Sequence, residues 1–428
     1  MNEPVKSTML FVNASQVVTC AGPGRARSAK EMSELEVLTD VAVAVQGERV
    51  VAIGPRGKLE KENPAASRID CTHRVLAPGL VDSHTHAIFA RPRYEEQEMR
   101  AAGVDYKEIA RRGGGIHSSV RHLRASTDEE LYASARWRLM RLASYGTTTV
   151  EVKSGYGLSV EDELRVLRII ARLQGELPMR IVPTWLGAHE IPLEFRERPN
   201  GRAEYLDLLV NDLLPLVAND RLAKFADVFC EPGVFTIEET RKILSAARTA
   251  GLSLKLHADE LDGSGGAELA AELRATSADH LAAISQEGIG ALAAAGTVAT
   301  LLPGTMLFLG KQKQAPARAL IDAGVAVALA TDFNPGTSPT FNFPLILTLG
   351  ISQLRMSASE ALLAATVNGA AALGIAAETG QIAAGYSADI ALFEADDYRE
   401  LAYWYGDRRC TGSWSRGKPC HPSARPVA

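Results

Sequence analysis

The sequence has 428 residues, of which 46% are hydrophobic and 23% charged, an ordinary globular composition that excludes disordered and fibrous proteins. A formal net charge of -5 argues against a general nucleic-acid binder, and five cysteines without a CxxC pair argue against a disulfide framework. Because no apolar run approaches the roughly 20 residues that span a bilayer and the start has no secretory pattern, we expect a cytoplasmic protein without membrane or nucleic-acid partners.

Both ends of the chain have the pattern of short strands. Met9–Cys20 looks like short strands with turns, and Asp40–Ile53 has alternating apolar residues with a Gly-Glu turn in its middle. Near the C-terminus, Ser387–Phe393 has the same pattern. The sequence therefore predicts a small β-sandwich domain built from both termini, residues 1–76 plus 376–428.

The residues between these ends alternate between short apolar runs and amphipathic helical stretches. The predicted strands are Leu80–Asp82, Thr148–Val152, Arg180–Thr184, Asp227–Phe229, Ser253–Leu256, Ala278–Asp279, Thr297–Leu302 and Val325–Ala330. The helices between them include Glu129–Ser144, Glu161–Leu173, Ile237–Ala250 and Gln286–Ala295. Runs such as Val325–Ala330 are apolar on both faces, which is typical of a parallel sheet covered by helices.

Repeated strand–helix units over residues 77–375 predict an α/β fold, a (β/α)8 barrel of the TIM type. The structural alternative is a doubly wound open sheet, which needs a glycine-rich phosphate-binding turn after an early strand. The nearest match, Gly22-Pro23-Gly24, lacks the third glycine and a strand–helix context. The barrel is therefore the favoured fold.

The strongest local signal is the tripeptide His84-Thr85-His86, directly after the first predicted barrel strand. Residues i and i+2 of a strand face the same side, so both imidazoles point the same way. An isolated HxH motif is equally consistent with two exposed loop histidines. The context favours function, because His189, His257 and His280 also follow predicted strands, where barrel enzymes carry catalytic groups.

Three of these histidines and one aspartate form a metal-binding set. Asp332 follows the last predicted strand, as His257 follows the fifth. Three neutral imidazoles and one carboxylate suit Zn²⁺ or Fe²⁺ and are poor ligands for Ca²⁺ or Mg²⁺. A structural zinc site is more commonly closed by thiolates, so this set would leave a position for water. We expect one divalent transition metal, Zn²⁺ or Fe²⁺/Fe³⁺, with the ligands His84, His86, His257 and Asp332.

Water activated by the metal is the natural nucleophile, because a catalytic Zn²⁺ lowers the pKa of bound water from roughly 15.7 to about 7. Asp332, a ligand with a free oxygen, would accept the water proton. Glu260 lies on the loop that leaves the strand of His257, and we expect it to shuttle a proton to a substrate nitrogen. Its alternative role is to begin a helix. His280 would polarise the substrate carbonyl as it becomes an oxyanion.

Lys153 follows the second predicted strand and allows two interpretations. A lysine at a barrel strand end is a candidate for carbamylation, which would let it bridge two metals. The four-ligand set is already complete for one metal. We therefore favour a structural or supporting role for Lys153.

Several segments give the chain a specific resemblance to a known family. Pro78–His86 (PGLVDSHTH), the strand ends at His257 and His280, and Asp332 resemble the amidohydrolase superfamily. Finer motifs are similar to the imidazolonepropionase family within it: Gly113–Ile116 (GGGI), Lys153–Leu158 (KSGYGL), Trp185–Pro192 (WLGAHEIP), His257–Glu260 (HADE), Leu301–Thr305 (LLPGT) and Ala330–Pro339 (ATDFNPGTSP). The KSGYG and TDFNPGTSP segments are the most specific parts of this likeness.

The resemblance implies hydrolysis of 4-imidazolone-5-propanoate to N-formimidoyl-L-glutamate in histidine degradation. By motif position, Arg93 would pair with the propionate carboxylate, for which a planar guanidinium is well suited. Tyr156 and His189 would contact the ring or the product. The remaining residues of the substrate pocket would be Asn334, Gly336, Thr337 and Glu260. We expect a small-molecule substrate and a homodimer.

Three departures from the family pattern concern the pocket. Arg91 lies just before Arg93, where the family has glycines and an acid, and it is a second candidate for binding the carboxylate. Phe333 replaces a small residue beside Asp332, and Gly310–Lys313 is more basic than expected. These departures affect substrate fit more than reaction class.

Two other functions are open alternatives. An aminohydrolase acting on a related heterocycle, such as a purine or pyrimidine deaminase, would release ammonia. A non-catalytic ligand-binding barrel would not need the metal ligands together with Glu260 and His280, so their presence argues against it. A cyclic-amide hydrolase is the leading interpretation.

Overall fold

The computed structural model describes residues 8–421 except 105–107 and 110–112. Its strands are grouped in a four-stranded, a six-stranded and an eight-stranded sheet. In chain order they are β1 (Met9–Val12), β2 (Gln16–Val18), β3 (Val37–Leu38), β4 (Val41–Gln46), β5 (Arg49–Pro55), β6 (Ser67–Asp70), β7 (Arg74–Pro78), β8 (Leu80–Asp82), β9 (Thr147–Lys153), β10 (Arg180–Ala188), β11 (Phe225–Cys230), β12 (Ser253–Ala258), β13 (Ser277–His280), β14 (Val298–Leu301), β15 (Val327–Leu329), β16 (Ile390–Glu394), β17 (Cys410–Ser415) and β18 (Lys418–His421).

The eight-stranded sheet is the barrel. Strands β8 to β15 lie side by side in chain order, and each pairs with the next in parallel. The predicted barrel strands are therefore confirmed in number and order. Their bounds differ by a few residues, most at β10, which runs past the predicted end at Thr184 to Ala188.

The first and last barrel strands meet just beyond their carboxyl ends. Thr85 and Phe333 form a parallel bridge, and the backbone N–H of His86 donates to the Phe333 carbonyl at 2.8 Å. Thr331 donates to the Asp82 carboxylate from its N–H at 3.0 Å and its hydroxyl at 2.6 Å. These contacts place the segments that follow β8 and β15 against each other.

Helices follow most barrel strands, as expected. Those predicted are observed at Asp128–Ala143, Val160–Glu176, Ile237–Thr249 and Gln286–Ala295. Thr127 and Thr236 begin two of them with capping boxes, an arrangement in which the N-cap side chain contributes about 1 kcal/mol. The other helical segments are Ala29–Ser33, Arg56–Glu62, Tyr94–Ala101, Ile116–Arg124, Leu193–Arg196, Gly201–Asp207, Leu208–Leu213, Leu214–Asn219, Gly266–Glu272, Pro303–Phe308, Ala317–Asp322, Phe343–Ser352, Ala358–Ala364, Val367–Ala372 and Glu400–Tyr403.

The two smaller sheets form the predicted β-sandwich. One has the order β5-β4-β1-β6 and the other β18-β17-β16-β7-β2-β3, so strands from both termini are joined. Their facing side chains share one apolar core, which includes Phe11, Val17, Val43, Val45, Val50, Ile69, Leu76, Ile390, Leu392 and Trp414. The sequence analysis missed β3, β6, β7, β17 and β18. The division into 1–76 plus 376–428 and 77–375 stays a prediction.

The five cysteines are all free and buried, as expected for a chain without a disulfide framework. In the part of the chain that the structure describes, no helix is both long enough and apolar enough to cross a membrane.

Candidate metal centre and active site

The four predicted ligands converge at the carboxyl end of the barrel. His84 and His86 follow β8, His257 lies in β12 and Asp332 follows β15. The His86 and His257 Nε2 atoms are 3.4 Å apart. The Asp332 Oδ1 atom lies 3.7 Å from His84 Nε2 and 3.6 Å from His86 Nε2. All four side chains are buried.

This cluster fits one metal ion. The potential ligand atoms of His84, His86 and His257 all lie within 4.8 Å of one another, and His84, His280 and Asp332 form an overlapping group. Among the described residues, the buried His84 Nε2 atom has no hydrogen-bond partner. A buried nitrogen left in this state costs about 1–3 kcal/mol, which a coordinated metal would remove. Burial lowers the pKa of His84 and of His86 well below the ordinary value, so both imidazoles are neutral, the form that binds metals.

Two aspartates that the sequence analysis missed lie behind the ligand histidines. Asp279 Oδ2 is 2.6 Å from His84 Nδ1, and Asp227 Oδ2 is 2.9 Å from His257 Nδ1. Such carboxylates fix the tautomer and ring orientation of metal-binding histidines. Each is an end residue of a predicted strand. An acidic residue in an otherwise apolar strand was the signal that could have identified both.

Glu260 and His280 lie beside the ligand cluster. Glu260 Oε2 is 3.7 Å from His280 Nδ1, and both side chains are largely buried. Burial raises the pKa of Glu260 well above its ordinary value, and the charges of Asp332 and Glu231 raise it further. His280 has a φ of 79°, a left-handed backbone conformation that costs a non-glycine residue of order 1–3 kcal/mol. Strain of this kind is concentrated at functional sites.

The loop that carries Glu260 is held by Glu231, which the sequence analysis also missed. The Glu231 carboxylate accepts hydrogen bonds from the backbone N–H groups of Glu260 at 3.1 Å, Leu261 at 3.2 Å and Asp262 at 2.7 Å. Glu231 directly follows β11, so the rule that polar residues at barrel strand ends are functional would have found it.

Asp332 is oriented by residues of two recognised motifs. Thr305 of the LLPGT segment donates from its hydroxyl to Asp332 Oδ2 at 2.6 Å, which leaves Oδ1 facing the imidazoles. Asn334 donates to the Asp332 carbonyl at 2.7 Å and to the Thr337 hydroxyl at 2.8 Å. Its Oδ1 accepts from the N–H groups of Gly336 and Thr337. Asn334 therefore holds the conformation of the loop 334–337 through hydrogen bonds made within the loop.

Arg93, and not Arg91, points into the protein. Arg91 is exposed, whereas Arg93 is 6% exposed and its N–H donates to the Pro335 carbonyl at 2.9 Å. Its guanidinium lies flat against Gly336, where an added Cβ atom would be 1.6 Å from Arg93 Nη2. Glu96, a further residue that the sequence analysis missed, has its Oε1 atom 3.5 Å from Arg93 Nε.

Tyr156 and His189 lie beside His86 and His257. The His189 ring stacks on the His86 ring with 5.1 Å between centroids, and the Tyr156 ring lies 5.3 Å from His189. Burial and the neighbouring His257 lower the pKa of His189 to about 3, so its imidazole is neutral. Gly155, with a φ of 106°, has no room for a Cβ atom, which would lie 2.9 Å from the Leu186 carbonyl. This lack of space, together with the positive φ, explains why the KSGYG loop has a glycine at position 155.

Comparisons with known proteins show which family and which relatives this chain is similar to. Residues 107–419 match the profile described as the Amidohydrolase family. The chain is 46% identical over 402 residues to an imidazolonepropionase of Solibacter usitatus (strain Ellin6076), covering 94% of this chain and 95% of the relative. It is also 46% identical to the imidazolonepropionase of Bacillus velezensis (strain DSM 23117 / BGSC 10A6 / LMG 26770 / FZB42), with 94% of each chain covered.

Solved structures with a similar fold are more distant in sequence. A zinc-bound adenosine deaminase from Xanthomonas campestris superposes with a TM-score of 0.72 at 19% identity, covering 99% of this chain and 95% of its own. Zinc-bound atrazine chlorohydrolase TrzN from Arthrobacter aurescens TC1 gives a TM-score of 0.69 at 19% identity, covering 98% and 96%. At this identity the structures establish the fold alone.

Proposed function

The chain belongs to the amidohydrolase family and, within it, to the imidazolonepropionases, and on this premise we propose that it hydrolyses 4-imidazolone-5-propanoate to N-formimidoyl-L-glutamate. Water adds to the ring carbonyl carbon, and the bond from this carbon to the ring nitrogen breaks. The observation that carries the proposal is the convergence of the predicted ligands with Glu260 and His280 in one buried cluster.

The metal would be held by three imidazoles and one carboxylate, those of His84, His86, His257 and Asp332. This donor set suits Zn²⁺ or iron. When bound, the metal supplies Lewis acidity, which lowers the pKa of a coordinated water to about 7. We expect elemental analysis to find one transition metal per chain. No metal, or two metals with a carbamylated Lys153, would contradict this arrangement.

The protein side chains move the protons. The Asp332 carboxylate is oriented by Thr305 and accepts a proton from the attacking water. Glu260, whose pKa is raised above its ordinary value by burial and by the charges of Asp332 and Glu231, donates a proton to the leaving ring nitrogen, because an amidine anion is a poor leaving group. His280 stabilises the carbonyl oxygen as negative charge develops on it.

Substrate binding is assigned to the buried residues around the cluster. Arg93 would pair with the propionate carboxylate, since its Nη1 atom is buried and lacks a hydrogen-bond partner among the described residues, while Glu96 Oε1 lies 3.5 Å from its Nε. Tyr156 and His189 would contact the ring. The far wall would be formed by Asn334, Gly336 and Thr337.

The direct test is to incubate the purified protein with imidazolone propionate. The ring absorbance should disappear, and formimidoylglutamate should form without ammonia. Release of ammonia from this or a related heterocycle would instead support an aminohydrolase. No reaction with imidazolone propionate by a metal-loaded, folded protein would contradict the proposed function, and no reaction with purines and pyrimidines as well would favour a binding protein.

We propose that the enzyme acts in the cytoplasm, where its five free cysteines suit a reducing environment. We also propose that it is a homodimer. Light scattering coupled to size-exclusion chromatography decides the second point, and a mass of one chain would contradict it.

A further inference from the structure

Beneath the ligand cluster lies a group of charged side chains that the proposed reaction does not use. It consists of Glu151 and Lys153 in β9, Asp227 in β11, Lys255 in β12 and Asp279 in β13. All five side chains are completely buried. We call these residues the charged base.

The first half of the charged base leads to His257. Lys153 Nζ is 2.8 Å from Asp227 Oδ2 and 2.8 Å from Glu151 Oε2. Asp227 in turn accepts the His257 backbone N–H through Oδ1 at 3.1 Å, and its Oδ2 lies 2.9 Å from His257 Nδ1. Both oxygens of Asp227 are therefore directed at the same histidine, with the Lys153 ammonium beside one of them.

The second half leads to His84. Lys255 Nζ donates to the carbonyl of Ser83, the residue before His84, at 2.7 Å and lies 3.5 Å from Asp279 Oδ2. That same oxygen is 2.6 Å from His84 Nδ1. Glu151 joins the two halves, because its Oε1 atom is 3.4 Å from Lys255 Nζ while its Oε2 atom contacts Lys153.

Stability does not explain these buried charges. Burial lowers the pKa of Lys153, but the charges of Asp227, Glu151 and Asp279 outweigh it and raise the pKa above its ordinary value, so the ammonium stays charged. Replacing a buried ion pair by apolar residues is often neutral or stabilising. The geometry, in contrast, connects Lys153 at 2.8 Å through Asp227 to His257, and Lys255 at 3.5 Å through Asp279 to His84, with a longer contact of 3.9 Å between Lys153 Nζ and Asp279 Oδ2.

We infer that Lys153 and Lys255 are positioning residues of the metal centre, each fixing the carboxylate that orients one ligand imidazole. His84 Nδ1 hydrogen-bonds with Asp279, and His257 Nδ1 lies 2.9 Å from Asp227 Oδ2 as an ion-pair contact, so each imidazole presents its Nε2 atom to the cluster. The inference rests on the proposed function, because it takes His84 and His257 as ligands. It assigns to Lys153 a role that does not require carbamylation.

The test measures metal binding instead of activity. Lys153→Met and Lys255→Met should each weaken Zn²⁺ binding by about 10–100-fold in a chelator competition, the usual effect of removing a residue that supports a ligand. Lys224→Met is the matched control. Lys224 lies just before β11 and donates to the Leu373 carbonyl at 2.7 Å, outside the charged base. This variant should bind Zn²⁺ as the unaltered protein does.

A spectroscopic measurement separates positioning from folding. The visible absorption of Co²⁺ bound to the unaltered protein reports ligand geometry, and it should change in both lysine variants. If Lys153→Met does not fold, Lys153→Met combined with Asp227→Asn removes one charge of each sign. This double variant should bind Zn²⁺ no more weakly than Asp227→Asn alone, because both changes act through one carboxylate.

Folded lysine variants with unaltered Zn²⁺ affinity and an unaltered Co²⁺ spectrum would overturn the inference. So would additive losses in the double variant, because they would mean that Lys153 does not act through Asp227. If the unaltered protein itself binds no metal at His84 and His257, the proposed function fails. The two failures are therefore distinguishable.

Discussion

The interior of the barrel and the interior of the terminal sandwich are equally buried but chemically opposite. In the sandwich, apolar side chains pack together, and the rings of Phe11 and Trp414 meet edge to face at 5.0 Å. In the barrel, neighbouring strands bury the charged base directly below the predicted ligands. Burial therefore serves two purposes in one chain: stability in the sandwich, and the orientation of a reactive centre in the barrel.

If this contrast is correct, changes around the barrel mouth should reduce catalysis or binding without unfolding the protein. Changes in the sandwich should destabilise the protein without reducing catalysis or binding per folded molecule.

Glu260→Gln should lower kcat by about 10²–10⁴-fold, the usual contribution of a positioned proton-transfer group. Glutamine preserves size and hydrogen bonding but cannot deliver a proton, and Glu260 is not among the predicted ligands. Metal content should therefore stay normal, as elemental analysis can verify, whereas Asp332→Asn should lose metal as well as rate. Near-normal turnover by Glu260→Gln would mean that another group donates the proton, and His280 would be the first to test.

Arg93→Met should raise KM strongly, because removing one partner of a buried, hydrogen-bonded charge pair costs roughly 2–5 kcal/mol. The matched control is Arg91→Met, which removes the same charge from an exposed position. Steady-state kinetics with imidazolone propionate separate the two variants. A damaging Arg91→Met combined with a harmless Arg93→Met would show that the carboxylate anchor has been misassigned.

Gly336→Ala should act through Arg93 and lower kcat/KM by up to about 10²-fold, the effect of a misplacement near 1 Å. A Cβ atom at position 336 would lie 1.6 Å from Arg93 Nη2, so the guanidinium has to move. Gly175→Ala is the control, since its Cβ atom would meet nothing within 4 Å. The loss should be absent from the Arg93→Met background, and an equal loss there would indicate a different cause.

The sequence predicted the part of the site that lies at strand ends. His84, His86, His257 and Asp332 were predicted together because a barrel exposes its carboxyl-terminal strand ends at one mouth, and the structure places these four side chains side by side. Asp227 and Asp279 were missed because their strands are buried on both faces, and alternation then gives no information about which side chains face the centre. Their importance depends on contacts across the barrel, such as the one between Asp279 and a histidine 195 residues away.

The barrel was predictable for a similar reason, whereas the prediction of the sandwich strands was incomplete for a different one. Parallel barrel strands are repeated and strongly apolar, whereas β3, with two residues, and β6, whose first two residues are exposed, lack a pattern of their own. β6 pairs with β1 in the sandwich, and that pairing is decided by tertiary contacts. Glu96, which accepts a hydrogen bond from the backbone N–H of Gly115 at 2.7 Å, was likewise not recognisable before its backbone partner was known, whereas the position of Glu231 after β11 could have identified it.

Phe11→Ala tests the sandwich side of the comparison and should affect the reaction least. Phe11 is 1% exposed in β1, and truncating a buried phenylalanine costs about 3–5 kcal/mol in the free energy of unfolding, measurable by urea denaturation. Phe11→Leu, which retains most of the volume, should cost less. Because Phe11 packs in a core that contains none of the predicted ligands, kcat/KM per folded, metal-loaded molecule should stay unchanged in both variants. A fall in kcat/KM that follows the loss of side-chain volume would mean that the sandwich interior is coupled to the metal centre, and the division between the two interiors would then be wrong.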